Sequence, residues 1–297
     1  MIRDNSLSSR LLDVLVYTVM IFVLLVTLYP VLNVLASSFS GRLANESGVI
    51  TIFPVDFNLD SYKMIFASGT VPNAFKNSVI YTSVGTAVNL LLTGSFAYAL
   101  SRKHLPLRGL YTTIAIIPMY FSGGLVPTFL LVRDLGLYNS MWALILPGAI
   151  SITNMIIMRT FFQSLPVELE ESASLDGAND LIIFAKIILP LSKAIIFTIG
   201  LYYAVSHWNS WFSSMIYFKD NEKYPLQMIL RQIVIMTNDI KEAAISGDFT
   251  TLAFIGTVNV TGVKYATLFI SIFPMLIIYP FIQKYFMKGV MIGSLKG

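Results

Sequence analysis

The stretch ELEESASLDGAND, from Glu168 to Asp180, holds five carboxylates and no Lys or Arg. They are Glu168, Glu170, Glu171, Asp176 and Asp180. Carboxylates set this close can do acid–base work when burial drives their pKa values apart. They can also line an ion path, or present a charged face to a soluble partner. Catalysis is disfavoured, because no histidine or metal-spacing motif stands nearby and the acids read as solvated. An ion path is disfavoured too. Ion-coupled carriers place ionisable residues inside their membrane segments, whereas the long apolar segments here are nearly empty of Asp and Glu, with Asp13 near a segment end.

A second constellation has a different chemistry. HWNSW supplies His207, Trp208, Asn209 and Trp211 within five residues. Aromatic faces suit the C–H surfaces of sugars, and amides suit their hydroxyls. Tyr203 and Asn89 are further candidates for a sugar path, with Tyr202 and Tyr98 behind them. Two ordinary roles compete: Trp and Tyr gather at membrane interfaces, and Asn bonds between membrane helices. His207 by itself reads as a packed or interfacial histidine. The chain has no cysteine, which excludes disulfides, thiol nucleophiles and Cys-based zinc sites. His104 and His207 are too far apart in sequence to form a metal motif.

Both constellations must be positioned by an oily scaffold. The 297 residues are 56% hydrophobic and only 12% charged, and mean hydropathy is +0.73. A soluble domain carries about twice that share of charge, so the chain reads as an all-α polytopic membrane protein. The net charge of +4 is spread over segment ends rather than gathered in a run, so nucleic acid is not an expected partner. Six apolar segments approach the roughly 20 residues needed to span a bilayer. They cover about 11–36, 73–100, 109–132, 139–163, 190–213 and 264–287. The first lacks a cleavage site and reads as a transmembrane helix rather than a signal peptide.

Positive residues near segment ends set the orientation. Arg102, Lys103 and Arg108 follow the second segment. Arg3 and Arg10 mark one tail, and Lys284, Lys288 and Lys296 the other. Both termini and the acidic stretch are therefore expected in the cytoplasm. The expected organisation is a tail and first helix over 1–36, an extracytoplasmic loop over 37–72, and a core over 73–297. Within that core lie cytoplasmic helices at 164–188 and an extracytoplasmic loop at 214–263. PLQMILRQIVIM (Pro225–Met236) is too short to span and carries Arg231, so an interfacial or lid helix is expected. Pro118 and SGGLVP (Ser122–Pro127) predict a kink or break in the third segment.

Within the acidic stretch, Ser164 is a possible helix cap and Pro166 suits a first turn. Glu168, Glu170 and Glu171 then fall where a helix dipole favours negative charge. Gly177 breaks the run, and Asn179 can cap a second short helix. That helix carries Phe184, Ile187 and Ile188 towards Leu189-Pro190. A helix–Gly–helix unit with exposed acids and an apolar half fits docking to a soluble protein.

ELEESASLDGANDLIIFAKIILPL also resembles the cytoplasmic signature of binding-protein-dependent ABC importer permeases. That signature reads E-A-A, a spacer, D-G-A, then an apolar stretch ending I-x-L-P. Glu171, Ala173, Asp176, Gly177, Ala178, Ile187, Leu189 and Pro190 match it. Ser172 departs, standing where the first Ala would be. FSGGLVPTFLLVRDLGLYN, ALILPGAI, MRTFFQSLP, WNSWF and YPLQ are similar to the carbohydrate branch, in particular its polysaccharide and large-oligosaccharide subgroup.

The resemblance implies a five-helix core with an additional N-terminal helix. It implies a heterodimer with a second permease, two cytoplasmic ATPase subunits that bind ATP-Mg, an extracytoplasmic sugar-binding protein, and a bacterial plasma membrane. It further implies that Glu168, Leu169, Glu171, Ser172, Ala173, Leu175, Asp176, Gly177 and Ala178 couple to an ATPase. Glu171 would pair with a basic residue there, and Leu169, Ala173 and Leu175 would pack into its groove. No cofactor is expected in this chain, since no G-x-x-x-x-G-K-[ST] occurs. GTVNVTGVK, from Gly256, has the wrong spacing. A permease for another solute, or a stand-alone carrier or membrane enzyme, are the competing readings.

Overall fold

A computed structural model describes residues 7–246 and 259–294. The described residues are helical, with turns and no strand. Arg3, Lys296, the start of GTVNVTGVK and part of the loop expected over 214–263 lie outside the described residues.

In chain order, α1 is Leu7–Ser38, α2 Arg42–Ser47, α3 Asp60–Ser68 and α4 Thr70–Ser101. Next come α5 (Arg108–Tyr120), α6 (Leu125–Asp134), α7 (Trp142–Ile145) and α8 (Ile152–Gln163). The acidic stretch forms α9 (Glu168–Leu175) and opens α10 (Asp180–Ile183); α11 (Leu189–Leu191) and α12 (Lys193–Trp208) follow. The last are α13 (Trp211–Tyr217), α14 (Leu226–Ser246) and α15 (Val260–Ser294).

The described residues divide into two units, one within 7–72, 230–246 and 259–273, the other within 73–229 and 274–294. In the first, α1 is apolar on every side, and its side chains from Leu11 to Tyr29 are largely exposed. A helix hydrophobic all round belongs in lipid or against another apolar surface. The segment 37–72, expected to be irregular, carries α2 and α3 and is pinned to the end of α1. Asn33 donates to the Ile50 and Thr51 carbonyls at 3.0 and 2.8 Å, and the Val55 N–H donates to Ser40 Oγ at 3.0 Å. Ala36, Ala44 and Ile50 are buried together there.

The core of the second unit forms where α4, α8, α10 and α12 converge. Ala97, Leu100, Met155, Met158, Phe162, Ile183, Ile188 and Ile199 are buried in one cluster. At the other end of α4, Asn73 and Asn77 each donate to the Glu222 carbonyl at 2.7 Å, and Ser78 Oγ accepts the Leu226 N–H at 2.8 Å. The segment after α13 is thereby tied to the start of α4.

Only three helices are by themselves long and apolar enough to span among the described residues: Ser9–Ser38, Thr70–Ser101 and Val260–Pro280. The third, fourth and fifth expected spans are instead bent pairs. α5 and α6 meet at 116°, α7 and α8 with their connecting turn at 56°, and Asp180–Leu191 meets α12 at 85°. The break in the third falls at residues 121–124, not at Pro118, which α5 accommodates. The fifth is the largest correction. α12 has 16 residues, about 24 Å at 1.5 Å per residue, short of a hydrocarbon core of roughly 30 Å. Before it, Phe184–Ile188 form a wide π-turn in which the Leu189 N–H reaches the Phe184 carbonyl. Pro190 follows directly and has no N–H to offer the Lys186 carbonyl, so the ordinary ladder cannot run through this point. Nor is α14 as short as its apolar run suggests, since it continues to Ser246.

Candidate functional site

Two places in the second unit carry the residues singled out by the sequence. The first is the acidic segment. α9 ends in a reciprocal pair of backbone bonds: the Ala178 N–H donates to Ala173 O at 2.9 Å and the Gly177 N–H to Ser174 O at 3.1 Å. Gly177 sits between them at φ +84°. This is the Schellman ending, in which a left-handed residue closes the helix and the flanking apolar residues touch. Ala173 and Ala178 both pack on the core cluster. The A-x-x-x-G-A spacing is thus the geometry of one helix ending.

Asn179 then caps α10, its Oδ1 accepting the Ile182 N–H at 2.9 Å. Asn179→Ala is expected to cost about 1 kcal/mol by loss of that cap, while Asn179→Asp keeps it. Thermal unfolding of the purified protein checks both.

Three expectations change here. A histidine does stand beside the acids, since His104 Nε2 lies 3.7 Å from Asp180 Oδ2, with both side chains well exposed. Ser164 does not cap α9. It closes α8, where its Oγ donates to Phe161 O at 2.7 Å, and α9 begins at Glu168 without a side-chain cap. Nor are all the acids solvated. Glu170 turns inward and pairs with Arg102 at the end of α4, the side chains being 16% and 8% exposed. The Arg102 guanidinium also lies 4.6 Å from the Tyr98 ring centroid, and that ring stacks on Phe184 at 4.8 Å. Burial pulls the Arg102 guanidinium below its usual range, with Tyr98 and Asp180 acting the other way. An arginine stays charged through such a shift.

Glu170 and Ala173 lie three apart and share the inner face of α9. Ala173 is partly buried and packs on its own core. Glu168, Leu169, Glu171, Ser172, Leu175 and Asp176 are exposed, Leu175 at 89%. Ser172, the departure from pattern, faces outward, so its hydroxyl costs no burial. Sequence reasoning missed Glu170 and Arg102. Helical phase sets Glu170 beside Ala173, but nothing in the sequence pairs it with Arg102.

The second place is a cleft of about 450 Å³ beside α12. Tyr203 Oη lies 2.6 Å from Thr93 Oγ1 and accepts the Ser151 N–H at 2.9 Å. Asn89 Nδ2 lies 3.2 Å from His207 Nε2 and donates to Gly148 O at 3.5 Å. These bonds hold α4, the turn after α7 and α12 together. Asn89 Oδ1 has no partner among the described residues. Asn89, Tyr203 and His207 are buried but line the cleft, as do Tyr202, Ser206, Ser210, Ser213 and Tyr217. The residues from 202 to 217 recur at three- and four-residue steps, one helical stripe that continues across the α12–α13 break. Sequence reasoning missed the serines, because attention to aromatics passed over small hydroxyls at helical spacing.

The other candidates lie elsewhere. Trp208 is buried with its ring edge-on to Phe75, 5.9 Å between centroids. Asn209 is exposed and donates back to Val205 O at 2.9 Å, closing α12. Trp211 is 38% exposed and packs edge-on to Phe212. Tyr98 belongs to the first place. The cleft lining includes no Lys, Arg, Asp or Glu. It can offer hydroxyls, amides and ring faces to a neutral polar surface, and no fixed charge.

Residues 91–292 match the family described as binding-protein-dependent transport system inner membrane component. The chain is 41% identical over 291 residues to the polygalacturonan/rhamnogalacturonan transport system permease protein YtcP of Bacillus subtilis (strain 168), covering 98% of this chain and 100% of that one. It is 42% identical over 293 residues to Protein LplC of the same organism, covering 99% and 97%. A solved bacterial ABC transporter involved in the import of the acidic polysaccharide alginate contains a chain with TM-score 0.85 and 32% identity, covering 95% of this chain and 99% of that one.

Proposed function

We propose that this chain, which belongs to the family of binding-protein-dependent transport system inner membrane components, is the permease subunit of an ATP-driven importer of oligosaccharides or polysaccharides. The α9–Gly177–α10 unit carries this reading. One face of α9 is clamped to the core, and the other presents Glu168, Glu171 and Leu175 outward. A soluble ATPase would grip the outward face and turn nucleotide-driven closure into movement of the helices behind it. A second permease would complete the pathway, two ATPase subunits would bind ATP-Mg, and an extracytoplasmic receptor would deliver the sugar. The names of the relatives support pectin- or alginate-like chains as the substrate class, and the neutral cleft supports contact with their hydroxyls. The apolar helices support six spans, counting each bent pair as one; the charge pattern supports both termini in the cytoplasm, and the relatives support a bacterial host.

Reconstituted with a second permease and the ATPase pair, the chain is expected to support hydrolysis stimulated by a receptor loaded with oligosaccharide. Alone it is expected to be inert. Uptake by the chain alone, or hydrolysis indifferent to every loaded receptor, would overturn the proposal. Glu171→Lys is expected to lower uptake by about a hundredfold or more, because placing like charges together at a docking surface costs several kcal/mol and each 1.4 kcal/mol is about tenfold. Normal uptake by the assembled variant would remove Glu171 from the docking face.

A further inference from the structure

The α9 segment reaches the membrane helices by two routes. One is covalent and passes through the Gly177 turn into α10, the π-turn and α12. The other is the Arg102–Glu170 pair, which leads directly to the end of α4. The first contains three compliant points: the left-handed residue at 177, the widened turn at 184–188 and the 85° bend before α12. The second is short and direct. Its side chains are nearly buried, and Arg102 is further held by Ser101 Oγ at 2.9 Å and by the Tyr98 ring. Tyr98 in turn stacks on Phe184, inside the π-turn.

We infer that Arg102 is a positioning residue for transport: through Glu170 and the Tyr98 ring it locks the inner face of α9 to α4, so that displacement of α9 moves α4 together with α12. This rests on the function proposed above. α9 has eight residues and none is fully buried. The ion pair and the Ala173 contact hold its inner face, so loss of the pair is expected to let a push on the outer face rotate α9 about its Gly177 end. Arg suits the role because its planar fork can bond Glu170 and Ser101 while its face lies on Tyr98.

The test uses the whole complex in proteoliposomes, with uptake and ATP hydrolysis measured together. Arg102→Gln and Glu170→Gln are each expected to lower uptake per ATP hydrolysed by about fivefold or more, on the scale at which an unpaired buried charge disturbs its surroundings. The exchange Arg102→Glu with Glu170→Arg is expected to recover part of that ratio, and Arg102→Lys to fall between wild type and Arg102→Gln. If the single variants fail to assemble, the exchange and Arg102→Lys still give the ratio. A wild-type ratio in Arg102→Gln, or an exchange no better than the single changes, would overturn the inference. Failure of the underlying function would look different: the wild-type complex itself would show no hydrolysis stimulated by a loaded receptor.

Discussion

Gly177→Pro is expected to abolish uptake in a chain that still inserts and assembles. Proline fixes φ near −65°, whereas this position stands at +84°. Proline also has no N–H, so the bond from residue 177 to Ser174 O is lost with the turn. Gly177→Ala separates the two effects. It keeps the N–H and pays only for the left-handed backbone, roughly 1–2 kcal/mol. No side-chain clash adds to that, since a Cβ at 177 meets nothing within 4 Å. Gly177→Ala should therefore keep part of the uptake that Gly177→Pro loses. Uptake in proteoliposomes, with assembly checked by co-purification of the ATPase, gives the ordering. Equal uptake by Gly177→Pro and wild type would mean that the turn plays no part in transmission.

The turn was legible because a glycine between two helix patterns, followed by a capping asparagine, has few other meanings. The direction of each acid was not. Glu168, Glu170 and Glu171 look alike in sequence, yet helical phase puts Glu170 beside Ala173 on the inner face, and only the position of α4 shows that Arg102 waits there. The spans show the same division. Apolar length revealed where the chain enters an oily medium, and SGGLVP announced a break. In 139–163 and 190–213 the bends of 56° and 85° fall just after Pro147-Gly148 and Pro190, residues that membrane helices also tolerate without a break, so apolar length outweighed them. The sugar candidates were chosen by chemistry without phase. His207, one turn on from Tyr203, lines the cleft with Asn89 facing it from α4, and Trp208, Asn209 and Trp211 do not line it.

Phase also identifies a residue that chemistry ignores. Gly85 lies one turn before Asn89 on α4, and its missing side chain is what lets His207 approach. A Cβ there would stand 2.5 to 2.7 Å from Nε2, Cδ2 and Cε1 of the imidazole. The ring is 8% exposed and 3.2 Å from the Asn89 amide, so any retreat from the new methyl draws it away from that contact. Small residues of this kind let membrane helices pack closely. Gly85→Ala is therefore expected to push α4 from α12, to break the Asn89–His207 contact, and to cost about 1–3 kcal/mol as overpacking does. Thermal unfolding of the reconstituted or detergent-solubilised complex measures it, with uptake falling alongside. The cause can be isolated by pairing Gly85→Ala with His207→Ala, which opens the space the new methyl needs. If the collision is the cause, the double variant should be more stable than Gly85→Ala alone, a non-additivity expected only of groups in contact. Strict additivity would show that α4 and α12 tolerate the methyl by other means, and that the cleft is shaped by a looser pairing of these two helices.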